Sequence, residues 1–192
     1  MTLDPIPVWC ELTTERFTLV RPRVEHVSTL LEIFGDEETM RYLQSPPARS
    51  REDCLRMLEV WYQECANGKG FRWVVLPKEA PEVPAGFFAL HYISRQNRRA
   101  ELGSYLHRRW WGRGLSLEVT REVLRFAFED LDLHRVELRC DPRNEASMTI
   151  ARKLSLRCEG VLRDYVQVEG KGFVDEAVHA LLRSEYLGDQ RR

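Results

Sequence analysis

A chain of 192 residues, 43% hydrophobic and 31% charged, is long enough to bury its own core, and its composition excludes collagen, coiled coil and disorder. With 29 Lys and Arg against 30 Asp and Glu, the net charge is −1, so bulk attraction to nucleic acid or to an anionic membrane surface is not expected. No apolar run approaches the ~20 residues needed to span a bilayer, and Met1–Glu11 holds acids and prolines in place of the basic and apolar stretches of a secretory signal.

Arg16–Arg21 alternates apolar and polar residues and predicts a strand. Val24, Val27, Leu30, Leu31 and Phe34 then recur at helical spacing up to Gly35. After Pro46-Pro47, Ser50 and Asp53 form a capping-box pattern that opens a second helix. Its expected inner face is Leu55, Leu58, Tyr62 and Cys65, it ends at Asn67-Gly68, and Trp61 and Trp73 are expected in the core. Phe71–Leu76, Ala85–Ile93 and Arg99–His107 read as strands of an antiparallel meander. The loop Trp110–Gly114 leads into a long helix from Leu115 to about Leu131, with Leu115, Val119, Val123 and Phe126 on one stripe. His134–Cys140 alternates Val136, Leu138 and Cys140 against Arg135, Glu137 and Arg139, so it closes a βαβ unit with parallel strands. A short helix follows over Asn144–Leu154, then strands near Gly160–Val168 and Glu176–Leu182 around the turn Glu169–Gly172. The expected fold class is α+β, or mixed α/β: one domain over 1–192 with its core at about 14–183, and a central, mostly antiparallel sheet of about seven strands with helices on both faces.

The chemistry concentrates in Glu101–Gly114. Gly112 and Gly114 sit where a strand turns into a long helix. Glycines there let backbone N–H groups converge and let a ligand approach closely, and the helix start adds unpaired donors and partial positive charge. Together these suit phosphate or pyrophosphate. Arg108, Arg109 and Arg113 add charge; residues 95–113 carry six Arg against one Glu. The pattern is neither G-x-G-x-x-G, because position 117 is Leu, nor a P-loop. A plain turn with surface arginines is the alternative.

Arg109-x-x-Gly112-x-Gly114 resembles the pyrophosphate signature of GNAT acetyltransferases. Thr14–Pro22 resembles the first strand of the RimJ/RimL-type members, and Ala100–Leu106 their fourth. Asn144–Ser147, Lys153–Leu156 and Glu159–Arg163 resemble the helix and strand that follow, and Gly172–Asp175 a late Asp position. Ser155 and Leu156 depart from the family's Gly-Phe at that turn.

The resemblance implies a GNAT-like fold, acetyl-coenzyme A as cosubstrate without a metal, and an amine acceptor: a protein N-terminus of ribosomal type, or a small amine such as an aminoglycoside, polyamine or amino sugar. A catalytically silent coenzyme A-binding domain is the contrasting reading, and a homodimer is compatible with the family. Contacts to the cofactor are expected from Ser104, Tyr105, Leu106, His107, Arg109, Trp110, Trp111, Gly112, Arg113, Gly114, Asn144 and Ser147. A backbone N–H within Gly103–Tyr105 is expected to stabilise the oxyanion. Glu101 is the candidate base, Ser147 the candidate acid and Asp175 a candidate for amine binding. Of Trp110 and Trp111, adjacent residues that cannot point the same way, one is expected to pack on the sheet and the other to cover the cofactor or a partner. The five cysteines (Cys10, Cys54, Cys65, Cys140 and Cys158) are odd in number with no C-x-x-C pair, which predicts a reduced, cytoplasmic protein. None lies in the cofactor segment, so direct transfer to the amine is expected over an acetyl-cysteine route.

Overall fold

The computed structural model describes residues 9–189, so most of the segment read for a signal, residues 1–8, lies outside the described residues. One sheet organises the chain. Its strands are β1 (Leu12–Thr13), β2 (Phe17–Val20), β3 (Phe71–Pro77), β4 (Gly86–Ser94), β5 (Arg99–Leu106), β6 (Arg135–Cys140), β7 (Arg157–Val168) and β8 (Gly172–Leu182). They lie in the order β1-β2-β3-β4-β5-β6-β8-β7. Among the described residues only β5 and β6 pair in parallel, as the βαβ reading requires. Among the described residues the sheet has eight strands, one more than expected, because the two-residue β1 is too short to show a period.

Helices α1 (Val27–Phe34) and α2 (Arg51–Ala66) cover one face. Their buried side chains meet Val74, Phe87 and Ala89 of the sheet, with Trp61 stacked on Phe87 at 4.2 Å between ring centroids. The Ser50–Asp53 capping box is present in both directions. The fully buried face of α2 is Cys54, Leu58, Trp61 and Cys65, with Leu55 half-buried against the same core as expected; Tyr62 is the correction. Anchoring on Trp61 rotates the stripe by one position, and the Tyr62 hydroxyl instead donates to the Pro22 carbonyl at 2.7 Å.

Helix α3 (Leu115–Arg125) and α4 (Glu145–Lys153) cover the other face, and α5 (Arg183–Asp189) closes the described chain. The long helix ends earlier than Leu131. At Phe126–Asp130 it widens into a π turn, in which Leu131 N–H reaches the Phe126 carbonyl. The wider turn buries three successive residues, Phe126, Ala127 and Phe128, which a regular helix turn would spread around its circumference. Among the described residues no helix is long and apolar enough to cross a membrane.

Candidate active site

Strands β5 and β6 run side by side only as far as the pair Leu102↔Leu138. Beyond it β5 continues along β4 to Gly86↔Leu106, while β6 continues along β8 to Cys140↔Ala177. The sheet therefore opens between Gly103–Leu106 and Arg139–Cys140. The hydrogen bonds fix which backbone groups face the opening. His107 N–H donates to Ala85 O of the neighbouring chain segment at 3.0 Å, and Arg135 N–H donates to Arg98 O at 3.1 Å. Odd-numbered residues of β5 thus direct their amides to β4 and even-numbered ones to the β6 side. Ser104 and Leu106 present backbone groups to the opening; Gly103 and Tyr105 do not.

Of Gly103–Tyr105, the stretch expected to supply an oxyanion donor, only Ser104 turns its amide to the opening, and Tyr105, expected to contact the cofactor, does not line it. The Tyr105 ring packs at 4.7 Å from Phe34 in the core under α1 and α2, and its backbone is spent on β4. The His107 amide is spent in the same way, and its Nδ1 accepts from Arg109 N–H at 3.3 Å, capping the turn.

The turn after β5 delivers the chain to α3 through two glycines in the left-handed region, Gly112 (φ +71°) and Gly114 (φ +77°). Gly114 is the N-cap of α3, so no side chain caps that helix, whereas Ser50 caps α2 and Asn144 caps α4. Glu118, in the first turn, is drawn aside by Arg16 and Thr14, both at 2.6 Å. The amino end of α3 therefore keeps its donors and its partial positive charge for an anion. The two tryptophans diverge at the end of a single 3-10 turn, Arg108–Trp110, and not along a strand: Trp110 packs edge-on against Phe17 at 5.4 Å. Trp111 is exposed, and its indole N–H donates to the Leu106 carbonyl at 3.2 Å. Arg113 and Arg108 lie over Trp110 and Trp111 respectively, and Arg108 also reaches Asp36 at 3.4 Å. Arg109 is exposed.

Glu101 lies on the α1/α2 face of β5, opposite Glu137 of β6, with its side chain 24% exposed. Burial pushes its carboxyl above the ordinary glutamate range, while Arg139 pulls it back. Sequence reading missed the neighbours. Arg139 also bonds Glu137 (2.9 Å) and Glu176 of β8 (3.1 Å), and Glu176 accepts in turn from Gln44 in the segment after α1. Lys171 in the β7–β8 turn donates to the carbonyls of Met40, Arg41 and Leu43, so that segment and the hairpin are tied together beside the opening. Alternation along β6 marked Glu137 and Arg139 as an outward face. The only further signal was their sign pattern, Arg-x-Glu-x-Arg.

The family profile of the acetyltransferase (GNAT) domain matches residues 16–157. The chain belongs to the GNAT acetyltransferase family. It is 31% identical over 177 residues to the Bacillus licheniformis N-acetyltransferase p20, covering 92% of this chain and 98% of that one. It is 26% identical over 160 residues to the Escherichia coli spermidine N(1)-acetyltransferase, covering 83% and 82%. Its fold is similar to that of RimL, the ribosomal L7/L12 α-N-protein acetyltransferase, solved with coenzyme A, at a TM-score of 0.82 and 17% identity, covering 92% and 99%. The protein is an N-acetyltransferase of GNAT type.

For a GNAT enzyme the end of the sheet matters. Because β5 and β6 are parallel, the starts of α3 and α4 both follow strand ends at the opening. Asn144 caps α4 by accepting from Ser147 N–H at 3.3 Å, and the Ser147 side chain is partly exposed. Asp175 sits on β8 with its Oδ1 accepting from Asp164 N–H at 2.9 Å, a bond that ties it to the irregular part of β7. Cys140 ends β6, buried against Met148, and burial pushes its thiol up to about 12. So little thiolate exists near neutral pH that the residue is a poor nucleophile. The expected result is that Cys140→Ala keeps most activity and that initial-rate plots intersect. Parallel lines, with an acetylated Cys140 in mass spectrometry, would establish the covalent route.

Proposed function

We propose that this GNAT enzyme moves the acetyl group of acetyl-coenzyme A to a primary amine, specifically a protein or peptide α-amino group, by direct attack in a ternary complex. The observation that carries the reading is the opening between β5 and β6, with the Ser104 amide turned into it and Glu101 on the adjoining face. The residues fit the cosubstrate. The uncapped start of α3, with the Gly112 and Gly114 turn and Arg109, suits the pyrophosphate. The edge at Ser104–Leu106, whose Leu106 carbonyl is already engaged by the Trp111 indole, suits an extended amide chain laid along it as a strand would be. When bound, the cosubstrate supplies an activated thioester; the protein supplies the rest. Ser104 N–H stabilises the oxyanion, an interaction worth roughly 3–4 kcal/mol. Glu101 takes the amine proton, directly or through water. Ser147 relays a proton from solvent to the leaving thiolate, receiving one at Oγ as it passes its own on, and the free side of the Asn144 amide holds the pantetheine.

Charge supports this acceptor class. A polycationic acceptor is best served by carboxylates left uncompensated, whereas Glu137 and Glu176 are held by Arg135, Arg139 and Gln44. A single modest base suits an α-amine, whose pKa of ~8 leaves about a tenth of it neutral at pH 7. Thiol release from acetyl-coenzyme A, measured against panels of peptides with free amino termini and of small amines, tests this. Higher kcat/KM for peptides supports it, and a clear preference for spermidine or an amino sugar overturns it. Coenzyme A binding without turnover on any acceptor would indicate the silent domain.

A further inference from the structure

Three carboxylates from three strands converge on one guanidinium. Arg139 Nη2 and Nε bond Glu137 at 2.9 and 3.0 Å, and Nη1 bonds Glu176 at 3.1 Å. Glu101 is the exception: its Oε1 stands 3.6 Å from Arg139 Nε, outside hydrogen-bond range. The other two partners are anchored from behind. Glu137, 3% exposed, also accepts from Arg135 Nε at 2.7 Å, and Arg135 is braced by Glu159 of β7. Glu176 is held by Gln44. Arg139 is therefore fixed by two carboxylates and leaves the third loosely held, at the first residue past the last β5–β6 pair.

We propose that Arg139 is the positioning residue for Glu101: clamped by Glu137 and Glu176, its guanidinium keeps the Glu101 carboxylate charged and unbonded at the point where the strands part. The inference rests on Glu101 being the base. The guanidinium attracts the Glu101 charge and also neutralises two like charges beside it. The other groups facing Glu101 do not replace it. Arg99, on β5, also favours the charged form of Glu101 but less than Arg139 does, and it sits at an exposed position 3.6 Å from Glu137. His91, the cross-strand partner on β4, is neutral because burial and Arg72 push its ring down to about 3.

Removing Arg139 withdraws the attraction and unmasks Glu137 and Glu176. Both effects favour protonated Glu101, so the acid limb of the rate moves to higher pH. An opposite charge at this range is worth about 1–3 pH units. The test compares wild type, Arg139→Gln and Arg139→Lys by pH profiles of kcat/KM and by carbon-13 titration of labelled glutamate carboxyls, with Glu101 assigned from the signal missing in Glu101→Gln. In Arg139→Gln, the limb and the Glu101 midpoint are expected to rise together by about 1–3 pH units, with kcat falling more than KM rises; Arg139→Lys is expected to restore part of the shift. A Glu101 midpoint that stays put in a folded Arg139→Gln or Arg139→Lys protein overturns the proposal, whatever its activity. The base assignment fails separately: it falls if Glu101→Gln is fully active, and the titration still reads the Arg139–Glu101 coupling in that case. If Arg139→Gln does not fold, the lysine variant decides, because an ammonium lacks the fork that spans both clamping carboxylates and is expected to leave a measurable rise.

Discussion

Replacing Glu101 by Gln is expected to lower kcat/KM near neutral pH by about 10²-fold or more, the usual scale of general-base catalysis. The substitution keeps the size of the side chain and removes the proton acceptor. The pH dependence gives the sign. Burial raises the Glu101 carboxyl above its ordinary range, so the wild-type rate falls as pH drops through that raised value, where the carboxylate is protonated and accepts nothing. The Gln variant has no such limb, and its rate follows the free fraction of the amine. The deficit of the variant therefore shrinks at high pH, where free amine is abundant. Initial rates from pH 5 to 10 check this. A Gln variant with the wild-type rate at pH 7 would transfer the role to water or to Asp175.

Gly114→Val is expected to weaken coenzyme A binding at least about tenfold while the fold survives. Gly114 adopts φ +77°, a region that costs an L residue roughly 1–2 kcal/mol and a β-branched one more. Relief of that strain rotates the first amides of α3 away from their common focus, and a loss of about 1.4 kcal/mol is already tenfold in affinity. Space is not the obstacle: an added Cβ would meet only Arg16 Nη2, at 3.7 Å, an ordinary contact. Calorimetry with coenzyme A, alongside a thermal melt to establish folding, checks both halves. Unchanged affinity in a folded variant would move the phosphate site away from this turn.

Local signals within one element were legible in the amino-acid sequence. The stripe Leu115, Val119, Val123 and Phe126 is buried as its spacing requires, because a helix face is set by a period inside a single segment. The Ser50–Asp53 box and the glycine turn at 112 and 114 are equally local, since each follows from the backbone conformation of a few consecutive residues. The divergence of Trp110 and Trp111 needed only the geometry of adjacent residues. The resemblance to the GNAT family added the order of motifs, and with it the end of the sheet where the site would lie.

Tertiary structure decided what depends on segments far apart in the chain. The parting of β5 from β6 after Leu102 and Leu138 arises because each strand follows a different outer neighbour, β4 or β8, and no period within either strand encodes that. The same pairing selects Ser104 over Tyr105 as the residue whose amide faces the opening, since a shift of one residue reverses every side chain and amide. Glu137 and Arg139 read as a solvated face because charge on one side of a strand usually means water. Their burial is tolerable because Arg135 on the same strand, together with Glu176 and Gln44 from two distant parts of the chain, satisfies their hydrogen bonds and charge. That long-range satisfaction turns an alternating charged strand into the half-buried setting of the Glu101 carboxylate.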